Sequence, residues 1–318
     1  MYNERWLIRL KSRFCLADKL FRPGASVVRL VRFEDRGPRI GAIKDDGIVD
    51  LLAAGSQWCT ILEIAAASPL ELEKLSELIR RTPAVRSLAG AQLLAPIERP
   101  GKYLAIGMNY AKHLAESDKL GVARSNYQTW FNKQTSCISG PFGDIVPGVT
   151  VQLDYEVELA AIIGAPAKLV SEADALGHVF GYCVANDVSA RDWQFHSPTF
   201  TMGKSFDTHG PIGPWIVTAD EIPDPQALTL RCYVNGELRQ QSNTRLMIHS
   251  LAAQIAYLSS AFTLETGDLI ATGTPEGVGI GREPKLFLKP GDVVRCEIDG
   301  IGAIENRVVE EAAEGRLM

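Results

Sequence analysis

The run LDYEVELAAIIG, residues 153–164, constrains the fold more than any other stretch of the chain. Read with a period of two, Leu153, Tyr155, Val157 and Leu159 face one way and Asp154, Glu156 and Glu158 the other, the pattern of a β-strand. The acids then give way to Ala160, Ala161, Ile162 and Ile163, apolar on both faces, so the strand continues into a core instead of ending in water. Three like charges on one pleat repel one another. A strand that carries them into a core requires something to neutralise them.

The surrounding pattern is rich in strands. Short alternating runs between 27 and about 51 predict an antiparallel meander, followed by helical sequence over roughly 60–81 with breakers at Pro69 and Pro83. Pro96 and Pro100 mark a linker, which divides the chain into an N-terminal extension (1–27), a small α+β domain (28–98) and a larger domain (99–318). In the larger domain, strands are expected at 103–107 and around 129–132, 155–163, 179–186, 215–218, 228–234, 268–272 and 293–298, with Asn235-Gly236 as a hairpin turn. Helices are expected near 171–178, 189–195 and 247–261, with a further one through YAKHLAES that Asn109 is placed to cap. Strands outnumber helices and do not alternate with them, so the fold class is α+β, mainly β, built on a sandwiched or closed antiparallel sheet.

With 318 residues, 46% of them hydrophobic, the chain can bury a large core without staples. A net charge of -5 gives no footprint for nucleic acid or an anionic membrane surface, and no apolar run approaches the roughly 18 residues needed to span a bilayer. The six cysteines are dispersed without a C-x-x-C and read as reduced, packed thiols of a cytosolic protein. Residues 1–27 are basic but contain Glu4 and Asp18 and no uninterrupted apolar segment, which favours a peripheral extension over a targeting peptide.

Familiar motifs fail. Gly203-Lys204-Ser205 lacks the earlier glycine of a phosphate-binding loop, its place being taken by Pro198. The run TGTPEGVGIG (272–281) is glycine-rich, but it has the wrong spacing for a dinucleotide loop and is followed by Pro284 and strand-like sequence. There is no G-x-S-x-G and no H-E-x-x-H. What survives is a set of polar residues in apolar surroundings: Glu156 with Glu158, Asp187 at the end of VFGYCVAND, Lys204 in TMGKSFD, and His113 with Glu116, three apart on one helix face. Two glutamates and an aspartate offer hard oxygen ligands suited to Mg²⁺ or Mn²⁺. Such a site would carry about -1 with the ion bound, and Lys204 would bring it near neutrality. Taken singly, each piece has a plainer reading: a solvated edge strand for the glutamates, a helix cap for Asp187, a surface pair for His113 and Glu116. Spacing does not choose Asp187 over Asp154, Asp192 or Asp207 as third ligand.

The segments AIGMNYAKHLAES, LDYEVELAAIIG, GYCVANDVSARDWQ, GKSFDTHGPIGPWIVT and GDLIATGTPEGVG, in this order, resemble the fumarylacetoacetate hydrolase family over roughly residues 28–310. Within it, ANDVSARDWQ, VNGELRQQSNTRLM and FLKPGDVVRCEI are most similar to the fumarylacetoacetate hydrolase domain-containing protein 2 subgroup. The resemblance implies a β-sandwich roll, a homodimer and a Mg²⁺ or Mn²⁺ site held by Glu156, Glu158 and Asp187. It places Lys204 beside the metal and makes His113 and Glu116 a base dyad. Arg191, Thr274 and Lys133 fall where the family contacts substrate or supports the site, although WFNKQTS carries FNKQ in place of the more familiar F-x-K-P.

The expected substrate is a small 2-oxo or 2,4-dioxo acid that chelates the metal through its carboxylate and keto oxygens. The expected reaction is hydrolysis of an acylpyruvate to pyruvate and a carboxylic acid, through an enolate stabilised by the metal and Lys204. Decarboxylation or tautomerisation of oxaloacetate, and isomerisation or decarboxylation of a 2-oxo-dienedioate, use the same enolate centre. A non-catalytic metal-binding relative would have no use for both His113 and Glu116.

Overall fold

The computed structural model describes residues 29–119, 121 and 125–310. The expectations for residues 1–27, and Cys15 with them, lie outside the described residues.

Ten strands form the path of one large sheet. Its order runs Arg86–Ser87, Gly47–Asp50, Pro38–Lys44, Arg29–Glu34, Gly210–Thr218, Val179–Asn186, Val157–Ile163, Leu269–Ala271, Tyr103–Gly107 and Thr129–Lys133. Pairing along it is antiparallel except where Leu269–Ala271 meets Tyr103–Gly107. A second sheet of four strands, ordered Glu237–Asn243, Thr229–Val234, Val293–Ile298 and Gly302–Arg307, packs across the first. The chain is thus α+β and mainly β.

The central position of Val157–Ile163 explains its composition. Leu159, Ala161 and Ile163 enter the core between the two sheets, with Val184, Leu230, Cys232, Val294, Cys296 and Ile304. Ala160 and Ile162 enter a second core on the opposite face, with Ala185, Ile212, Leu30, Ala42, Ile64 and Leu75. A strand buried on both faces must be apolar at consecutive positions, and each fully buried branched side chain contributes roughly 1.5–3 kcal/mol. The segment before Pro96 shares this second core, and its first strand continues the large sheet through Arg29↔Val217 and Leu30↔Ile216.

Local signals explain most of the helices and turns. Pro69 is a first-turn proline behind the N-cap Ser68, whose hydroxyl accepts from Glu71 N while the Glu71 carboxylate takes Ser68 N–H, and the helix Pro69–Arg81 ends before Pro83. Asn235 and Gly236 both take positive φ, 52° and 79°, between Thr229–Val234 and Glu237–Asn243. The expected 155–163 strand is interrupted: Leu153–Asp154 pairs with Ser189–Ala190, and the ladder resumes at Val157.

Four local expectations are corrected. Asn109 does not cap the helix Ala111–Lys119. Its Oδ1 accepts from His249 N at 2.8 Å and its Nδ2 donates to Thr272 O at 2.8 Å, so a buried amide with four bonding positions ties two loops together. Gly302–Arg307 is a strand, and Gly210–Thr218 begins well before residue 215. Cys137, Cys183, Cys232 and Cys296 are buried free thiols, but Cys59 is exposed, on the N-terminal side of the Ile61–Ala65 helix.

Candidate metal centre

At the interruption in the acidic strand, the Glu156 N–H has no ladder partner and bonds instead to Asn186 Oδ1 at 3.0 Å, while Glu156 O accepts from Asp187 N at 2.9 Å. This exchange turns the ends of two neighbouring strands toward one point. Glu156, Glu158 and Asp187 each present a carboxylate oxygen there, all within 4.8 Å of one another, and the residues are only 4%, 1% and 0% exposed. The solvated-edge reading of the two glutamates is therefore excluded.

Lys204 bridges two of the acids, with Nζ 2.7 Å from both Glu156 Oε2 and Asp187 Oδ2. It arrives on the turn Thr201–Lys204, entered through Phe200 at a left-handed φ of 59°. Arg191 donates from Nη2 to Glu156 Oε1 at 2.6 Å and from Nε to Asp154 Oδ2 at 2.9 Å. Burial alone would raise the Glu156 acid, but Arg191 and Lys204 together hold it far below the ordinary carboxylate range. Glu158 differs. Its hydrogen bond comes from Gly273 N at 2.8 Å, and among the described residues no lysine or arginine forms a salt bridge with it. Burial, reinforced by Asp187 and Glu156, pushes its pKa well above the ordinary value.

Electrostatics thus identify where positive charge is missing. Asp154, Glu156, Glu158 and Asp187 are four buried carboxylates, faced by the three buried cations Lys133, Lys204 and Arg191. Asp154 is saturated by Arg191 and by three backbone N–H groups. The remaining three acids, one of them without a cation, form an oxygen-donor set that fits a divalent ion such as Mg²⁺ or Mn²⁺.

His113 and Glu116 line the same cleft as Glu156, Glu158, Arg191, Lys204 and Thr274. His113 Nδ1 lies 3.2 Å from Glu116 Oε2, and Glu116 Oε1 accepts from Gly277 N at 3.0 Å. Thr274 is directed inward: its hydroxyl donates to Val157 O and accepts from Gln240. Lys133 is buried, with Nζ 2.6 Å from Asp187 Oδ1 and also bonded to the Lys204 carbonyl, so it braces the lysine turn and does not line the cleft. Arg191 lines the cleft with all three guanidinium nitrogens engaged, the last on Gln194 Oε1.

Two contributors escaped the sequence reading. Asn186, next to Asp187, replaces a missing ladder bond. Gln240 is buried and binds Val157 N, Thr274 Oγ1 and Pro275 O. The signal for Gln240 was present in ELRQQSN, a strand whose inward position carries a polar side chain.

Comparison with known proteins agrees with this geometry. The family model for the fumarylacetoacetate hydrolase C-terminal region matches residues 102–309. The chain is 44% identical over 291 residues to the mitochondrial oxaloacetate tautomerase of Xenopus laevis, covering 89% of this chain and 90% of that protein. Maleylpyruvate hydrolase from Sphingobium sp. SYK-6, solved with manganese (II) and pyruvate, superposes with a TM-score of 0.73 at 33% identity, over 89% of this chain and 100% of that one. The 5-carboxymethyl-2-hydroxymuconate delta-isomerase of Mycobacterium smegmatis gives a TM-score of 0.69 at 33% identity, with the same coverage. Matched along most of its length in both sequence and fold, the chain belongs to the fumarylacetoacetate hydrolase family.

Proposed function

We propose that the chain is a divalent-metal-dependent enzyme of small 2-oxo acids, and that its reaction is the keto–enol tautomerisation of oxaloacetate. The observation that carries the reading is the buried Glu158, set beside Glu156 and Asp187 with no cation of the described protein paired to it. A divalent ion held by these three side chains would supply Lewis-acid polarisation of a 2-oxo group. The similarity to an oxaloacetate tautomerase over nine-tenths of both chains supports the substrate, and the manganese- and pyruvate-bound relative supports the ligand class.

The chain's own residues supply the proton chemistry. With His113 Nδ1 donating to Glu116, the other ring nitrogen, Nε2, is the basic one, suited to carry a proton from C3 of a bound 2-oxo acid to its 2-oxo oxygen and, in the reverse direction, from the enol hydroxyl back to C3. Glu116 fixes that tautomer while Gly277 N–H holds its second oxygen. Lys204 keeps a full positive charge beside the acids: burial opposes the charge, but Asp187 and Glu156 outweigh it and raise the pKa. That charge favours an enolate oxygen over a neutral ketone. Phe131, Phe200, Ile106, Val278 and Ile280 line the cleft and limit water around the carbanion.

A second reading, hydrolysis of an acylpyruvate, is favoured by those same apolar walls, which suit a neutral acyl group. His113 would then take its proton from water attacking the 4-oxo carbon, and pyruvate and a carboxylic acid would leave. A panel of oxaloacetate, acetylpyruvate and fumarylpyruvate, assayed with Mg²⁺, Mn²⁺ or chelator, separates the readings. Metal-dependent decay of enol-oxaloacetate alone supports tautomerisation, and pyruvate release from acylpyruvates supports hydrolysis. Turnover that is indifferent to chelator, or absent throughout, overturns both.

A further inference from the structure

The glycine-rich run 272–281, unsuited to nucleotides, lies between the acidic strand and the His113 helix. Asp154, the first acid of that strand, is fully buried, and each of its oxygens has two donors. Oδ1 accepts from Tyr155 N at 2.9 Å and Gly279 N at 2.7 Å. Oδ2 accepts from Ile280 N at 2.9 Å and Arg191 Nε at 2.9 Å. The approach is close enough that a Cβ on residue 279 would sit 2.6 Å from Asp154 Oδ1 and 2.2 Å from Leu286 O, so glycine is required there.

The other end of the loop grips the dyad. Gly277 N–H donates to Glu116 Oε1, and the Gly277 carbonyl is held by the Tyr155 hydroxyl at 3.1 Å. A Cβ on residue 281 would meet the Glu116 carboxyl carbon at 3.0 Å and its oxygens at 3.2 and 3.3 Å. Lys112 and Glu276 add an ion pair at 3.2 Å between the His113 helix and the loop. A continuous path of short contacts therefore runs from Glu156 through Arg191 and Asp154 to residues 277–281, and from there through Glu116 to His113.

We propose that Asp154 is a positioning residue: by clamping the 277–281 loop against Arg191 it sets the distance between the His113–Glu116 dyad and the Glu156 end of the acidic cluster. Its role as a clamp follows from saturation, since a carboxylate with four donors has no lone pair left for a metal or a substrate. Misplacing a base by about 1 Å can cost on the order of a hundredfold in rate, which is the scale of effect the clamp controls. The assignment of His113 as the base rests on the proposed function; the clamp itself does not.

Two variants perturb opposite ends of the path. Asp154→Asn replaces one oxygen with an N–H₂ that faces donors. Gly281→Ala leaves Asp154 intact and presses a methyl group on the Glu116 carboxylate. Asp154→Asn is expected to speed amide exchange at Gly279 and Ile280 at least tenfold. On whichever 2-oxo acid the wild type turns over, kcat should fall ten- to hundredfold with KM within threefold, and Mn²⁺ affinity should hold within threefold. Gly281→Ala is expected to leave Mn²⁺ affinity and exchange at 279 and 280 as in wild type, yet to lower kcat comparably and to displace the limb of the pH–rate profile that reports His113.

Wild-type kcat and pH profile in Gly281→Ala overturn the proposal, as does Asp154→Asn with fast loop exchange and undiminished kcat. If Asp154→Asn does not fold, Gly281→Ala decides alone. If no 2-oxo acid is turned over by the wild type, the proposed function fails. The clamp is then tested by the His113 ring resonances, which should move in both variants; unmoved resonances overturn it.

Discussion

Lys204 Nζ stands 2.7 Å from Glu156 Oε2 and 2.7 Å from Asp187 Oδ2, a single buried ammonium shared by two acids at the ends of neighbouring strands. Removing one member of a buried charge set leaves the rest under-compensated, which typically costs about 3–5 kcal/mol; here Arg191 still pairs with Glu156 and Lys133 with Asp187, which puts the cost at the lower end. Lys204→Met should accordingly lower the stability of the chelator-treated protein by about 3 kcal/mol. A divalent ion would restore some of the missing charge, so Mn²⁺ should raise the variant's melting temperature more than the wild type's. Its kcat should still fall roughly a hundredfold, because the charge that favours the enolate is gone. Melting curves with and without Mn²⁺ check the first part, and an equal Mn²⁺ increment in both proteins would contradict it.

Glu158 makes the complementary prediction. Its pKa is raised above the ordinary 4.5 by burial first and then by Asp187 and Glu156, so in metal-free protein the folded state holds this proton more tightly than the unfolded chain does. The sign follows: stability is greatest below about 4.5 and declines as pH rises toward the folded-state value, at about 1.4 kcal/mol per unit. Glu158→Gln removes that decline, so in chelator at pH 7 it should be at least as stable as wild type. The same substitution should weaken Mn²⁺ binding more than about a hundredfold, since a bound metal needs the anionic oxygen. Denaturant titrations in chelator, paired with Mn²⁺ calorimetry, test both halves. A variant that is less stable without metal and binds Mn²⁺ normally would remove Glu158 from the ligand set.

How much of this site could be read from residues alone depends on range. The alternation and apolar run of 153–164, the Asn235-Gly236 turn and the Ser68-Pro69 helix start are decided within a few residues, and the structure follows them. Asn109 was misread because a cap is a local inference, whereas its amide is used by His249 and Thr272, more than 130 positions away. Lys133 sits on a strand with no sign of burial in TWFNK. Only the fold brings Asp187 and the Lys204 carbonyl to its Nζ. Choosing Asp187 over Asp154 for the acidic cluster from the residues' spacing likewise needed three dimensions: both are buried acids, but the backbone N–H groups of residues 279 and 280 occupy Asp154 and leave Asp187 facing Glu158. The strand Gly302–Arg307 escaped notice because GAIENR offers one large apolar residue, Ile304, and gains its regularity from Val293–Ile298 beside it.

His209 provides an acid-sensitive element apart from the acidic cluster. It is fully buried, its Nε2 donates to Val146 O at 3.0 Å, and it stacks on Phe206. Burial, and to a lesser degree Lys133, holds its pKa down to about 3 against an ordinary 6.5. Because the folded value is depressed, the unfolded chain takes the proton first, and stability is lost as pH falls below 6.5, amounting to about 2 kcal/mol by pH 5. In His209→Gln the difference in stability from wild type should shift in the variant's favour by about that amount between pH 7 and pH 5. Denaturant midpoints at both pH values measure it. A difference that does not change with pH would mean that His209 titrates normally in the folded protein.

The last prediction concerns the dyad itself. The side-chain hydrogen bonds of His113 and Glu116 run to each other and to Gly277 at the cleft, so His113→Ala should fold and bind Mn²⁺ as the wild type does. Losing a positioned base typically costs 10²–10⁴-fold, and kcat should fall within roughly that range. Glu116→Gln keeps the size of the side chain and a hydrogen bond to the ring but withdraws the charge that supports an imidazolium. Its loss should therefore be smaller, on the order of tenfold, with the pH optimum moved. The two effects should not multiply in the double variant, because Glu116 acts through His113. Steady-state kinetics on oxaloacetate and an acylpyruvate, with metal affinity measured in parallel, decide the matter. A His113→Ala protein that binds Mn²⁺ and turns over at the wild-type rate would remove the dyad from the chemistry and leave proton transfer to another group in the cleft.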